Sequence, residues 1–201
     1  MAGQVTPTKS ALINTKKSLN LAKVGYELMD RKRNILIREA MSLIDVANEI
    51  QQLIDITYSE AYKALQRANI TLGINDEAAL SVPIDNGVNI KYHSVMGIEI
   101  PSVEYVEKPE KNYYGIINTR ASLDEAYAKF DKVKKLTVKL AEIENSVYRL
   151  ASAIKKTQKR ANSLKNITIP KLEHDVKFIN ESLEEKEREE FSRLKVIKES
   201  R

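Results

Sequence analysis

Two histidines, His93 and His174, are the first candidates for chemistry in this 201-residue chain. A metal site needs several His, Cys or carboxylate ligands at matched spacing. These two sit in different parts of the chain, without a second His nearby, and there is no cysteine at all. They read as surface histidines. Nucleophilic catalysis would need a Ser or Cys on a sharp turn beside a base, and no nucleophile elbow or Gly-rich turn occurs. Neither GxxxxGK followed by Ser or Thr nor GxGxxG is present, so no phosphate cradle is expected. These residues point away from catalysis, metal ligation, nucleotide binding and any cofactor in this chain.

What remains is charge. Formal net charge is +5, and the excess is clustered. Arg31-Lys32-Arg33 is one group; Lys155, Lys156, Lys159, Arg160 and Lys165 form another, in a stretch with no acidic residue between Glu144 and Glu173. Such a cluster is a solvated face, a contact for an acidic protein, or a phosphate-binding patch. No aromatic stacking platform or reading helix accompanies it, which disfavours nucleic acid. The run Glu181 to Glu190 reads as a solvated acidic face with i,i+4 pairs such as Glu184–Arg188.

The elements that carry these groups are helical. Charged residues are 30% and aromatics 6%, with no Trp, which suits an extended helical shaft better than a compact core. From about Thr8 to Leu72, Leu19, Tyr26, Arg33, Ala40, Ala47, Ile54 and Ala61 recur every seventh residue. Ala22, Met29, Leu36, Leu43 and Ile50 follow the first five by three, completing an a/d heptad seam in which only Arg33 is awkward. Thr6-Pro7-Thr8 supplies a hydroxyl cap and an early proline. Gly25 is the one helix-weakening residue.

A second seam starts at Ser122, read as an N-cap with Glu125 completing a capping box. Ala126, Val133, Leu140, Val147, Ile154 and Ala161 alternate with Leu136, Ile143, Leu150, Thr157 and Leu164. The step from Leu164 to Leu172 is eight residues, read as a four-residue insertion that relaxes the supercoil. Val176, Ile179 and Leu183 follow. Pro170 lies in the slip and is expected to bend the helix or break a hydrogen bond.

Between the seams, residues 73–120 hold four of the six glycines and three of the five prolines. Val88, Ile90 and Tyr92 alternate with polar residues, as do Ile98 and Ile100, with a turn at Ser94 to Gly97. A β-hairpin follows, announced by Asp85-Asn86-Gly87. Val82, Val95, Met96, Ile98 and Val103 are too many to bury in a lone hairpin, which suggests docking.

The expected fold is therefore predominantly all-α: a long antiparallel two-helix coiled coil with a small β-hairpin appendage at its mid-chain tip. Its segments are 1–72, 73–120 and 121–201. If residue 70 faces about residue 122, facing numbers sum to about 192. That places Pro170 near Gly25 and both basic groups at one level, and the last twenty residues overhang the first helix. The N-terminus has no apolar h-region, and no run of about 18 apolar residues occurs. A cytoplasmic chain without membrane insertion is expected.

Specific stretches also resemble a known family. Pro7-Thr8-Lys9, Leu12, Leu19 and Ala22 lead to Gly25-Tyr26-Glu27-Leu28-Met29-Asp30-Arg31-Lys32-Arg33. This resembles the signature Gly, two residues, Leu-Leu-Lys, one residue, Lys-Arg of the D subunits of V/A-type rotary ATPases. Met29 and Asp30 depart from the commonest Leu and Lys. Arg160-Ala161-Asn162-Ser163-Leu164, Ile169-Pro170 and the run through Glu187-Arg188-Glu189-Glu190 to Phe191 and Leu194 are similar to the late pattern of that family. The resemblance implies a non-catalytic central rotor shaft. Its termini would project into the hexamer of catalytic A and B subunits. Its other end, with the F subunit alongside, would dock on the funnel-shaped subunit (C/d) above the membrane ring. The alternatives from the residues alone are a non-rotary coiled-coil scaffold and a basic nucleic-acid-binding helical protein.

Overall fold

In the computed structural model the described residues are 6–73, 80–106, 114 and 121–199. Residues 1–5 and much of the 73–120 segment lie outside them. The elements in order are α1 (Lys9–Leu72), β1 (Val88–Val95), β2 (Ile98–Tyr105), α2 (Ala121–Ser163), a π-helical turn (Leu164–Thr168) and α3 (Ile169–Glu199). Two long helical stretches pack together, and a two-stranded antiparallel sheet separates them in sequence.

The caps of α1 follow from local chemistry. The Ala11 N–H donates to Thr8 Oγ1 at 3.1 Å, so Thr8 is the hydroxyl cap and Pro7 lies just outside. At the other end Gly73, at φ +73°, donates its N–H to the Asn69 carbonyl, the left-handed closure that glycine makes without steric cost. The start of α2 differs from expectation. The helix begins at Ala121, so Ser122 is already helical, and its hydroxyl lies 3.1 Å from that of Thr71. Glu125 pairs with Lys129 instead of closing a box.

The chain divides into two compact units, residues 36–153 and residues 1–35 with 154–201. In the first of these, Leu36, Ala40, Ile54, Ala61, Ala64 and Ala68 of α1 are buried, as are Ala126, Val133 and Leu150 of α2. Leu43, Ala47, Ile50, Leu136, Leu140, Ile143 and Val147 are half-buried. Alanines at successive seam positions let the helices approach closely. Tyr62 meets Phe130 edge-on at 5.6 Å. That contact and Thr71 opposite Ser122 hold the register of an antiparallel pair in which residue 70 faces residue 122.

The hairpin belongs to this unit. β1 and β2 pair from Val88–Tyr105 to Val95–Ile98. The turn is tighter than expected: Met96 and Gly97 alone make it, at φ 53° and 76°. Two positive φ values in a two-residue loop define the I′ turn, whose twist matches the strands. The hairpin does not stand free of the helices. It lies along α2, where Ser146 Oγ reaches the Pro101 carbonyl and Arg149 Nη1 donates to the Glu99 carbonyl at 3.1 Å. An isolated hairpin is marginal in water, and its apolar residues drive it onto the nearest helix. Ile100 and Pro101 are buried there.

In the other unit, Leu19, Ala22, Tyr26 and Met29 of α1 are half-buried, with Ile154, Thr157, Ala161 and Leu164 of the second helical stretch half-buried or buried. Beyond the π-helical turn Ile179 is fully buried and Leu172, Val176 and Leu183 are half-buried. The burial of Ile179 confirms a slip in phase, and the π turn corrects its size from the expected four residues to one. A single inserted residue carries the d position from Leu164 to Leu172 and then Ile179, and the a position from Ala161 to Val176 and then Leu183. The π turn absorbs that residue. The Ile169 N–H bonds the Leu164 carbonyl, five residues back, where an α-helix would reach four.

Candidate partner-binding surfaces

The basic residues split by environment. Arg31, Lys155, Lys156, Lys159, Arg160 and Lys165 are exposed, while Lys32 and Arg33 are half-buried. Arg33 occupies a seam position because its charge is answered locally. Its Nη2 lies 2.7 Å from Asp30 Oδ1, one turn earlier, and its Nη1 donates to Gln158 Oε1 at 2.9 Å across the pair. Asp30, three residues before an otherwise awkward arginine, was the available sequence signal. Lys165 Nζ sits 5.8 Å from the Tyr26 ring centre, a cation–π geometry that keeps the ammonium at the surface. Arg33 opposite Gln158 and Tyr26 opposite Lys165 put the two basic groups side by side. The exposed part of the belt is therefore Arg31 with the five residues from 155 to 165.

Gly25 and Pro170 also lie close in level, though not face to face. A Cβ added at Gly25 would meet Leu164 Cδ1 at 4.0 Å, at the start of the π turn. Past that turn the pairs are Lys23–Glu173 at 2.7 Å and Lys9–Glu187 at 3.1 Å. They lie further toward the C-terminus than an uninterrupted register would put them, the direction an inserted residue gives. Because Lys9 opens α1 and faces Glu187, the overhang starts near Arg188 and is shorter than twenty residues. Phe191 and Leu194 within it are exposed. Glu184 and Arg188 pair at 3.4 Å; such exposed pairs are worth under about 1 kcal/mol.

The hairpin surface has its own electrostatic anchor. Asp85 accepts from the Gly87 N–H, the Tyr105 hydroxyl and Lys134 Nζ, the last at 2.9 Å. Lys134 also lies 2.8 Å from Asp131. Burial pushes the Lys134 pKa down, but hydrogen bonds with Asp131, Tyr105 and Asp85 outweigh it and hold it above the ordinary lysine range. Burial likewise pushes Asp131 up, and Lys134 and Lys135 together hold it below its ordinary value. The hydrogen bond to Asp85 raises the Tyr105 hydroxyl. This cluster fastens the base of the hairpin to α2.

The apolar exposure sits elsewhere than expected. Val82, Val95, Ile98 and Val103 are half-buried. Met96 remains exposed, together with Val88, Ile90 and Tyr92 of β1. Those three strand residues and Val138, Ala141 and Arg149 of α2 border a shallow groove of about 280 Å³. Arg149 stacks over the Tyr92 ring at 5.2 Å. Ser146 is buried although it is polar and off the seam. Sequence reading missed it because only the docked hairpin covers it, and its small side chain lets Pro101 approach.

His93 is exposed, and the exposed His174 ring has Asp175 at 3.9 Å. Among the described residues no group of His, Cys or acidic side chains is placed to hold a metal, and no helix is long and apolar enough to cross a membrane.

Likeness to known proteins spans nearly the whole chain. The family model for the D subunit of ATP synthase matches residues 11–199. This chain belongs to that family. It is 44% identical over 197 residues to the V-type ATP synthase D subunit of Thermotoga neapolitana, covering 97% of each chain. It is 38% identical over 199 residues to the A-type ATP synthase D subunit of Thermococcus kodakarensis, covering 96% of this chain and 93% of that one. With the A-type D subunit of Pyrococcus furiosus the identity is 35% over 200 residues, covering 97% and 94%. The resemblance read from the Gly25–Arg33 and Arg160–Leu194 stretches is thereby shown, and with it a place in a V/A-type ATP synthase. In this member of the D-subunit family both surfaces are built from ordinary surface chemistry: cations in one unit, an apolar strand face in the other.

Proposed function

We propose that this D subunit is the central rotor shaft of its ATP synthase. It passes rotation between the catalytic A/B hexamer and the ion-translocating ring, without catalysis of its own. The ends carrying α3 and the start of α1 enter the hexamer. The hairpin side meets the F subunit and the funnel-shaped subunit (C/d). The observation that carries this reading is the antiparallel helix pairing by interlocked seams, present in both units, beneath a charged exterior. Paired helices resist twisting without a globular core, and a hydrated charged surface does not grip one face of a surrounding ring permanently. Scaffold and nucleic-acid readings explain the seams or the charge, but not membership of a family of ATP synthase subunits.

The test is ATP hydrolysis by the A/B hexamer with and without this chain, paired with ion uptake by the membrane-embedded complex. Coupled uptake should require the chain. Uptake that persists without it would refute the shaft.

A further inference from the structure

We propose that Gly25 and the π-helical turn at Leu164–Thr168 form one torsionally soft joint, in which both helices of the pair are weakened at the same level. Gly25 is the only glycine within α1, and Pro170 is the only proline from residue 121 onward. Helix-weakening residues are free to fall anywhere along two long helices, yet these two fall together.

Each weakening has its own physical basis. The π turn pairs Ile169 with Leu164 five residues back, and this wider ring is a rarer arrangement that often marks a functional site. Pro170 follows as the second residue of α3 and removes a donor where the ladder would resume. The Thr168 hydroxyl reaches the Ser163 carbonyl only at 3.4 Å. Across the pair, Gly25 is not required by space. An added Cβ would rest against Leu164 Cδ1 at 4.0 Å, an ordinary contact, and its φ is not in the left-handed region. What glycine contributes there is backbone freedom. The Tyr26–Lys165 contact bridges the site through a ring face and an ammonium, which tolerates sliding better than an interlocked apolar pair.

The inserted residue, not the proline, holds the turn in place. Without it, the helix would present Lys171, Asp175 and Phe178 to α1 in place of Leu172, Val176 and Ile179. A joint of this kind lets the segment beyond it lag the rest of the helices under torque, so rotation is stored as twist between steps. That consequence rests on the shaft reading; the softness itself does not.

Three full-length variants test it. Pro170→Ala alone should keep the π turn. Deletion of Ile167 combined with Pro170→Ala restores a seven-residue step and a continuous α-helix. Gly25→Ala stiffens α1. In the isolated chain, amides 165–169 should exchange at least tenfold faster than those at 157–161. The deletion variant should abolish that difference and raise Tm by several degrees. Equal protection in the native chain would overturn the joint. In the assembled complex, the angular spread of a probe on the shaft during a fixed dwell should narrow in the deletion and Gly25→Ala variants. An unchanged spread would also overturn it. A native complex that turns over ATP without rotating this chain would defeat the shaft reading, while the exchange result still decides the joint.

Discussion

Replacing Ile179 and Phe178 one at a time asks the helix which residue faces the seam. Ile179 is fully buried and its neighbour Phe178 is 47% exposed. A heptad running on uninterrupted from Thr157 and Leu164 would bury Phe178 instead. Ile179→Ala removes three carbons, each worth roughly 0.8 kcal/mol on burial, or about 2.4 kcal/mol. The cavity left behind raises the loss to about 3 kcal/mol, within the usual range of about 2–5 kcal/mol. For a chain of this size each kcal/mol moves Tm by roughly 2–4 °C, so the midpoint should fall by about 6–12 °C. Phe178→Ala, made where the ring is half in water, should cost under about 1 kcal/mol. Urea and thermal melts followed by circular dichroism read both. A loss for Phe178→Ala equal to or larger than that for Ile179→Ala would refute the one-residue insertion and the register built on it.

Ala64→Leu should cost about 1–3 kcal/mol by overpacking a close helix contact, against under about 0.5 kcal/mol for the exposed Lys63→Leu; equal melts would show that the alanine seam is loose. Tyr105→Phe removes one hydrogen bond to Asp85, worth about 1 kcal/mol, and Lys134→Met removes the cation shared by Asp85 and Asp131. Both should speed amide exchange in β1 and β2, and unchanged exchange would mean that the anchor is idle. Burial and then the hydrogen bond to Asp124 push the Tyr114 hydroxyl up to about 12. A raised folded pKa contributes stability that is full below pH about 10 and is lost as pH climbs through 12. Tyr114→Phe should therefore leave the tyrosine absorbance step near pH 10 unchanged, and a smaller step would contradict the shift. Reversing Lys155, Lys156, Lys159 and Arg160 to Glu should move the dwell angles in single-molecule rotation, less so at high salt, where the Debye length shrinks to about 3 Å at 1 M. Identical rotation at every salt concentration would show that the belt is only a solvated face.

Most of the helical pairing was legible because a coiled coil is a local code. Every seventh residue must be apolar to stay on the seam, so Leu36, Ile54, Val133 and Leu150 declare themselves without knowledge of the partner. Arg33 could be reconciled from Asp30 one turn away. The family signature was legible for the same reason, being carried by contiguous stretches. Three features were decided only in three dimensions. An eight-residue step fits either a four-residue or a one-residue insertion, and the choice fell to the backbone, where the π turn with its Ile169-to-Leu164 bond takes up one extra residue. The hairpin shows its strands and turn in its alternation, but not its resting place. That was set by the fit of Pro101 over the small Ser146 and by the cluster of Asp85, Tyr105 and Lys134, residues up to 49 positions apart in sequence. The apolar surface left exposed followed from that docking: once β2 turned its residues onto α2, Val88, Ile90 and Tyr92 of β1 stayed in water. Periodicity reports what an element needs; which neighbour meets the need depends on packing between distant segments.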